Sequence, residues 1–359
     1  MIGRLTTQIV GSYAKPHWLA HHARMRALDG SWWRPEGSVL EEAKRDAARL
    51  AIYEQERAGL DVVTDGEAQR PAYDRHFLQG LEGIDMDARL EVDIARPVEG
   101  DGEFLAEFRA HGSTGPAVIA PLRHARPVAV EELRFARATA RKPVKICVIG
   151  PLTLARSLHD RFYGDDQALV LALADALNAE LRALEEAGAD YLQIDEPSFH
   201  MRLPQAERFG VEAVARMTHG LTRPVIMHLC YGYALVNPEK SPSEDYAKAL
   251  GLAAACPVQA ISLEYEQPGH EPEFLAHCGE KKSILLGLLD MSLPEAETVE
   301  HIATRLRAAL RAVPAHRLHA ASDCGMWYLP RPLAYAKISA LAQAALRVRQ
   351  TLPTKGYVR

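Results

Sequence analysis

Pro224-Val225-Ile226-Met227-His228-Leu229-Cys230-Tyr231 starts as an apolar run and ends in two side chains that bind metals. A run this short, opened by proline and closed by a turn, reads as a buried strand. Alternate side chains of a strand share a face, so His228 and Cys230 leave its end on the same side, an imidazole beside a thiol. Zinc favours that pair of donors. Such pairs also arise by chance, so the meaning of this one depends on what other strands bring to the same place.

The same layout recurs along the chain. Gln8-Ile9-Val10 stops at Gly11-Ser12-Tyr13, and residues 60–64 stop at Asp65-Gly66-Glu67. Residues 144–149 stop at Gly150-Pro151, and Tyr191-Leu192-Gln193-Ile194 stops at Asp195-Glu196-Pro197. After the opening stretch come residues 258–263 with Glu264, residues 284–289 with Asp290, and residues 318–321 with Asp323-Cys324. Helical periodicity fills the intervals at residues 40–57, 166–187, 243–255, 294–313 and 333–351. The rhythm breaks only over residues 70–143. There Leu90-Glu91-Val92-Asp93-Ile94 alternates as a strand does, Gly100-Asp101-Gly102 reads as a turn, and residues 130–140 read as a helix.

Eight strands, most followed by a helix, predict an α/β fold: a (β/α)8 TIM barrel in one domain over residues 1–359, with a β-containing insertion between strands two and three. The rival is a doubly wound open sheet, but no glycine-rich nucleotide fingerprint follows the first strand.

Composition narrows the function classes. Apolar residues at 48% and charged ones at 25% are ordinary for a soluble globular chain, and a net charge of −5 argues against a nucleic-acid partner. The longest apolar run, near residues 168–177, is broken by Asp175 and falls short of the roughly 20 residues a membrane span requires. With no signal-peptide segment at Met1 to Gln8, the expected location is cytoplasmic, with no membrane partner. Five cysteines at irregular spacing predict reduced thiols rather than a disulfide framework.

In a barrel of this type the active site lies at the C-terminal ends of the strands. Those positions hold Ser12, Asp65, Glu67, Asp195, Glu196, His228, Cys230, Glu264, Asp290, Asp323 and Cys324. His228 and Cys230, Glu264 and Cys324 make a chemically sufficient zinc set of N, S and O donors. Glu266 competes with Glu264 because the two share a face. Two thiolates, a carboxylate and Zn²⁺ sum to a single negative charge. A zinc ion so loaded activates water poorly but keeps a bound thiol nucleophilic, which points to alkylation at sulfur. Cys147, Cys256 and Cys278 read as core or surface residues, and His159, His200, His270 and His277 as solvated or capping ones. Trp32-Trp33 reads as packing or as a substrate contact.

Taken together, Gln193-Ile194-Asp195-Glu196-Pro197, His228-x-Cys230, Ser262-Leu263-Glu264 and Asp323-Cys324-Gly325 resemble the catalytic barrel of cobalamin-independent methionine synthase. Val10-Gly11-Ser12, Asp65-Gly66-Glu67 and Gly150-Pro151-Leu152-Thr153 are similar to other signatures of that family, in the same order. The resemblance implies zinc on His228, Cys230, Glu264 and Cys324, and homocysteine as methyl acceptor. It implies that Gly11 and Ser12 hold the amino acid's carboxylate and that Glu67 and Asp195 hold its ammonium. Asp195 and Asp290 are the expected catalytic carboxylates, although Asp195 could instead orient His228.

The chain departs from the folate-using enzymes in having Asp290-Met291-Ser292 where they have Asp-Ile-His. Arg156 stands where they have a pterin-stacking tryptophan, and only the catalytic barrel of their two is expected. The expected methyl donor is therefore a methylated corrinoid protein or a folate. Two other readings stay open: zinc-dependent alkylation of a different thiol, as in epoxyalkane:coenzyme M transferases, and a metal-free barrel like uroporphyrinogen decarboxylase.

Overall fold

The computed structural model describes residues 5–21, 31–92, 114–234 and 237–353. Asp93, Ile94 and Gly100-Asp101-Gly102 of the expected excursion lie outside them. The strands are β1 (Leu81–Glu91), β2 (Thr114–His124), β3 (Lys145–Ile149), β4 (His159–Asp160), β5 (Tyr191–Asp195), β6 (Val225–Leu229), β7 (Ala260–Leu263), β8 (Ser283–Gly287) and β9 (Leu318–Ala321). Six of them form one parallel sheet in the order β3-β5-β6-β7-β8-β9. Every residue of β3, β5, β6, β7 and β9 is buried. Parallel strands covered on both faces have no solvent side to show, so they read as mostly apolar runs without polar alternation.

The main helices are α1 (Gly37–Ala58), α2 (Val130–Thr139), α3 (Pro151–Ala155), α4 (Asp166–Glu186), α5 (Val211–Met217), α6 (Glu244–Ala255), α7 (Val299–Ala312) and α8 (Arg331–Thr351). Side-chain caps fix three of the starts: Asp165, Ser243 and Thr298 accept the backbone N–H groups of Ala168, Tyr246 and His301. The cap at Thr298 also explains why α7 begins later than its sequence pattern suggests. Glu297, one residue before it, is drawn to Lys337 (3.0 Å) and to the backbone N–H of Asp290 (2.7 Å).

The first two expected strands are shorter than their sequences suggest. Each shows a single bridge, Thr7, just ahead of the expected Gln8–Val10, with Ala320, and Val63 with Val144. Backbone bonds run from Gln8 N to Ala320 O (3.1 Å), from Val62 N to Thr7 O (3.1 Å) and from Lys145 N to Val63 O (2.9 Å). The ladders stop there for local reasons. The N–H of Thr7 is taken by the carboxylate of Asp61 (2.9 Å), and Pro143, beside Val63, has no N–H to give.

Within the excursion, β1 and β2 pair antiparallel with two register shifts, and β4 joins β2 in parallel at Ala117 and Val118. This smaller sheet thus recruits residues 159–160, beyond the expected limit of the excursion. No described helix is long and apolar enough to cross a membrane.

Candidate active site

Three side chains from the ends of β6 and β9 meet. Ligand atoms of His228, Cys230 and Cys324 lie within 4.8 Å of one another, and all three residues are buried. Ser262, at the middle of the neighbouring strand β7, pairs its Oγ with His228 Nδ1 at 3.0 Å. That bond leaves Nε2 for other work, and Nε2 is buried with no hydrogen-bond partner among the described residues. The Cys324 thiol is held well above its usual range, chiefly by the Cys230 thiol beside it and then by burial. A cation among these donors would reverse that preference.

Glu264 does not join the group of three. Both of its oxygens are held by the Lys240 ammonium, at 2.9 and 2.8 Å, and burial pushes its carboxyl well above the ordinary value. Its backbone is fixed on both sides. The N–H of Glu264 donates to the Tyr246 hydroxyl (3.1 Å), which itself donates to Leu229 O (2.8 Å) and so ties the ends of β6 and β7 together. Asp323 accepts the N–H groups of Tyr265, Glu266 and Gln267 at 3.0, 3.1 and 2.7 Å, which locks the turn after Glu264. The competing carboxylate, Glu266, points elsewhere, pairing with Arg305 at 2.9 Å and with His301.

A second group forms beside the first. Glu67, Cys147 and Asp195 also bring ligand atoms within 4.8 Å of one another. Glu67 has a left-handed backbone (φ 51°), uncommon for a residue with a side chain. That conformation is held by its N–H on Asp65 Oδ1 (2.9 Å) and by Lys15, whose Nζ donates to its carbonyl (2.5 Å). Burial raises the Glu67 carboxyl to about 7, against the pull of Arg70, and raises Asp195 as well, against the pull of His228. Asp195 accepts from Gln193 Nε2 at 2.7 Å.

Beneath them Lys145, fully buried, donates to Gln193 Oε1 and to Ile9 O, each at 2.7 Å. Arg70 anchors the far side through Glu132 Oε2 and Cys147 O, both at 2.9 Å.

Two glycines let the backbone come close to these groups. A methyl group on Gly11 would collide with Glu67 Oε1 and meet Cys147 Sγ at 2.8 Å. One on Gly325 would collide with Ser12 Oγ, which puts Ser12 next to the residue that follows Cys324. Tyr233 flanks the same spot and packs edge-on to Trp327 (5.4 Å) and Tyr328 (5.8 Å).

Asp290 turns its Oδ1 to the backbone N–H and the hydroxyl of Ser292, both at 2.7 Å. It belongs to neither group. Glu196 pins the Gly150-Pro151-Leu152-Thr153 turn, accepting from Leu152 N (2.9 Å) and from the Thr153 hydroxyl. Arg156 reaches Ser198 Oγ and Met201 Sδ, each at 3.2 Å, and its Nε is buried with no partner among the described residues.

Sequence reasoning missed Lys240, Lys15, Arg70 and the role of Ser262. Lys145 offered a signal, since a lysine inside an otherwise apolar strand must have partners.

A family model described as "Cobalamin-independent synthase, Catalytic domain" matches residues 5–347. The chain belongs to the cobalamin-independent methionine synthase family. It is 29% identical over 358 residues to a methionine synthase of Saccharolobus solfataricus, covering 98% of this chain and 97% of that one. It is 30% identical over 359 residues to a methionine synthase of Saccharolobus islandicus, with coverage of 98% and 97%. Among solved structures, a B12-independent methionine synthase from Shewanella sp. W3-18-1 in complex with selenomethionine superposes with a TM-score of 0.86. That protein is 30% identical, and the match covers 97% of this chain and 98% of it. The family match runs along nearly the whole chain of this methionine synthase homologue.

Proposed function

We propose that this chain transfers a methyl group to the thiol of homocysteine, giving methionine, with zinc at His228, Cys230 and Cys324. The single observation that carries the reading is the meeting of a buried imidazole and two buried thiols, with His228 Nδ1 on Ser262 and its Nε2 left without a hydrogen-bond partner among the described residues. Soft sulfur donors with one imidazole suit zinc, and Glu264 would supply a further donor when it is free of Lys240. Bound there, zinc supplies the Lewis acidity that lets a thiol lose its proton near neutral pH.

The remaining work falls to side chains. Glu67 and Asp195 hold the ammonium of the amino acid, and Gly11 and Ser12 hold its carboxylate. Held at both ends, the sulfur faces the donor's methyl carbon, and the new S–C bond forms as the donor's own bond to that carbon breaks. Asp290 acts on the donor side as a catalytic carboxylate beside Ser292. The bonds that join Gln8, Val62 and Lys145 to their neighbours support a sheet closed as a (β/α)8 barrel, with residues 70–143 as its insertion and 1–359 as one domain. The structure of the Shewanella relative in complex with selenomethionine supports the same acceptor side. Arg156 and Ser292 favour a methylated corrinoid over a folate polyglutamate, because neither gives a pterin a stacking face or an imidazole acid.

The direct test incubates zinc-loaded protein and homocysteine with a methylated corrinoid protein, methylcobalamin or methyltetrahydrofolate. Methionine from at least one donor, and none after chelation, is expected. Its absence with every donor defeats the reading.

Two further results are expected. Ser262→Ala removes the partner of His228 Nδ1, so zinc affinity measured against a competing chelator should fall roughly 10- to 100-fold. The pH dependence follows from Glu67, whose carboxyl is raised to about 7. Homocysteine's ammonium needs the ionised form, so binding is intact above that pH and is lost as pH falls through it, at up to about tenfold per unit. The KM for homocysteine from pH 5.5 to 8.5 (roughly the span either side of that midpoint) should rise on the acid side; a flat profile there contradicts the clamp.

A further inference from the structure

Lys240 lies in residues 237–243, an irregular segment between β6 and α6. Its side chain is completely buried, as is that of Glu264. The ammonium gives its three protons to Glu264 Oε1 (2.9 Å), Glu264 Oε2 (2.8 Å) and Gly232 O (2.7 Å), which exhausts its donors. It is also close enough to Cys230 and Cys324 to interact with both. A permanent fourth ligand has no need of a buried lysine. A ligand that must leave the metal needs somewhere to go.

We infer that Lys240 is a positioning residue that receives the Glu264 carboxylate when a substrate thiol takes the metal's fourth position and returns it when the thiol departs. The inference rests on the zinc reading above. In either state the metal has three anionic ligands: Cys230, Cys324 and either Glu264 or the thiolate. Without Lys240 the displaced carboxylate becomes a buried, unpaired charge, and thiol binding must bear that cost. With Lys240 it passes into a ready-made pair whose lysine also bonds the Gly232 carbonyl.

The test replaces zinc with Co²⁺ and follows the sulfur-to-cobalt charge-transfer band as homocysteine is added to wild type, K240M, E264Q and K240M/E264Q. K240M is expected to need on the order of tenfold more homocysteine for half-saturation. In the E264Q background the same lysine change should have little effect, because no carboxylate charge remains to be received. The double variant carries no unpaired charge, so it is expected to fold even where K240M does not.

Crystal structures of the wild-type zinc protein with and without homocysteine give a readout free of variants: Glu264 on Lys240 only when the thiol is bound. Equal titrations of K240M and wild type, or Glu264 in one place in both crystals, overturn the inference while the zinc reading stands. A wild-type protein that takes up no Co²⁺ overturns both.

Discussion

Cys324→Ser is expected to release zinc from the protein and to lower methionine formation on the order of 1,000-fold or more, a loss of about 4 kcal/mol in transition-state stabilisation. The thiol sits just beyond β9, buried, within 4.8 Å of the ligand atoms of His228 and Cys230. A serine there is nearly isosteric, so the strand and the Asp323 bonds to Tyr265, Glu266 and Gln267 should survive. Its hydroxyl, however, does not ionise near neutral pH and is a poor zinc ligand. Zinc content by elemental analysis, initial rates and far-UV circular dichroism check the three parts of this expectation. A folded variant that keeps one zinc per chain would remove Cys324 from the metal site, and one that keeps wild-type rates would remove the metal from the reaction.

Glu67→Gln carries the second large effect. Its carboxylate is held by a left-handed backbone, by Asp65 on its N–H and by Lys15 on its carbonyl, so it is aimed before substrate arrives. The amide keeps the shape and loses the charge that an ammonium would meet. Removing one partner of a buried charged pair costs about 3 kcal/mol, roughly a 100-fold fall in kcat/KM for homocysteine. The loss should be specific. Alkylation of a simple thiol without an amino group should change little, and an equal loss for both substrates would mean that Glu67 supports the fold rather than the ammonium.

Much of this was legible in the sequence for one physical reason. Buried parallel strands are mostly apolar, so a cluster of polar residues at the end of such a run marks the rim, and period two then places His228 and Cys230 together. The same logic reached Cys324, Glu67 and Asp195. Lys240 was not legible. In Pro238-Glu239-Lys240-Ser241-Pro242 it looks like a solvated turn, and its burial depends on a carboxylate 24 positions further along. Ser262 was quoted only as part of a motif, because a hydroxyl inside a strand carries no local sign of which imidazole it will meet.

The first two strands were over-read. Their residues have the right apolar pattern, but Asp61 and Pro143 remove the donors that longer ladders need. Asp290 was selected by its place at a strand end, and its Oδ1 bonds the backbone N–H and the hydroxyl of Ser292 in the turn that follows.

One residue of the proposed amino-acid clamp and one of the proposed metal group stand on neighbouring strands, with Asp195 of β5 in register with His228 of β6. A sheet fixes that spacing far more rigidly than loops would. For a substrate gripped at its amino end and at its sulfur, as proposed, the rim would act as a ruler. On that reading cysteine, one methylene shorter than homocysteine, would satisfy one grip or the other but not both, and discrimination against it would lie in the register of two strands.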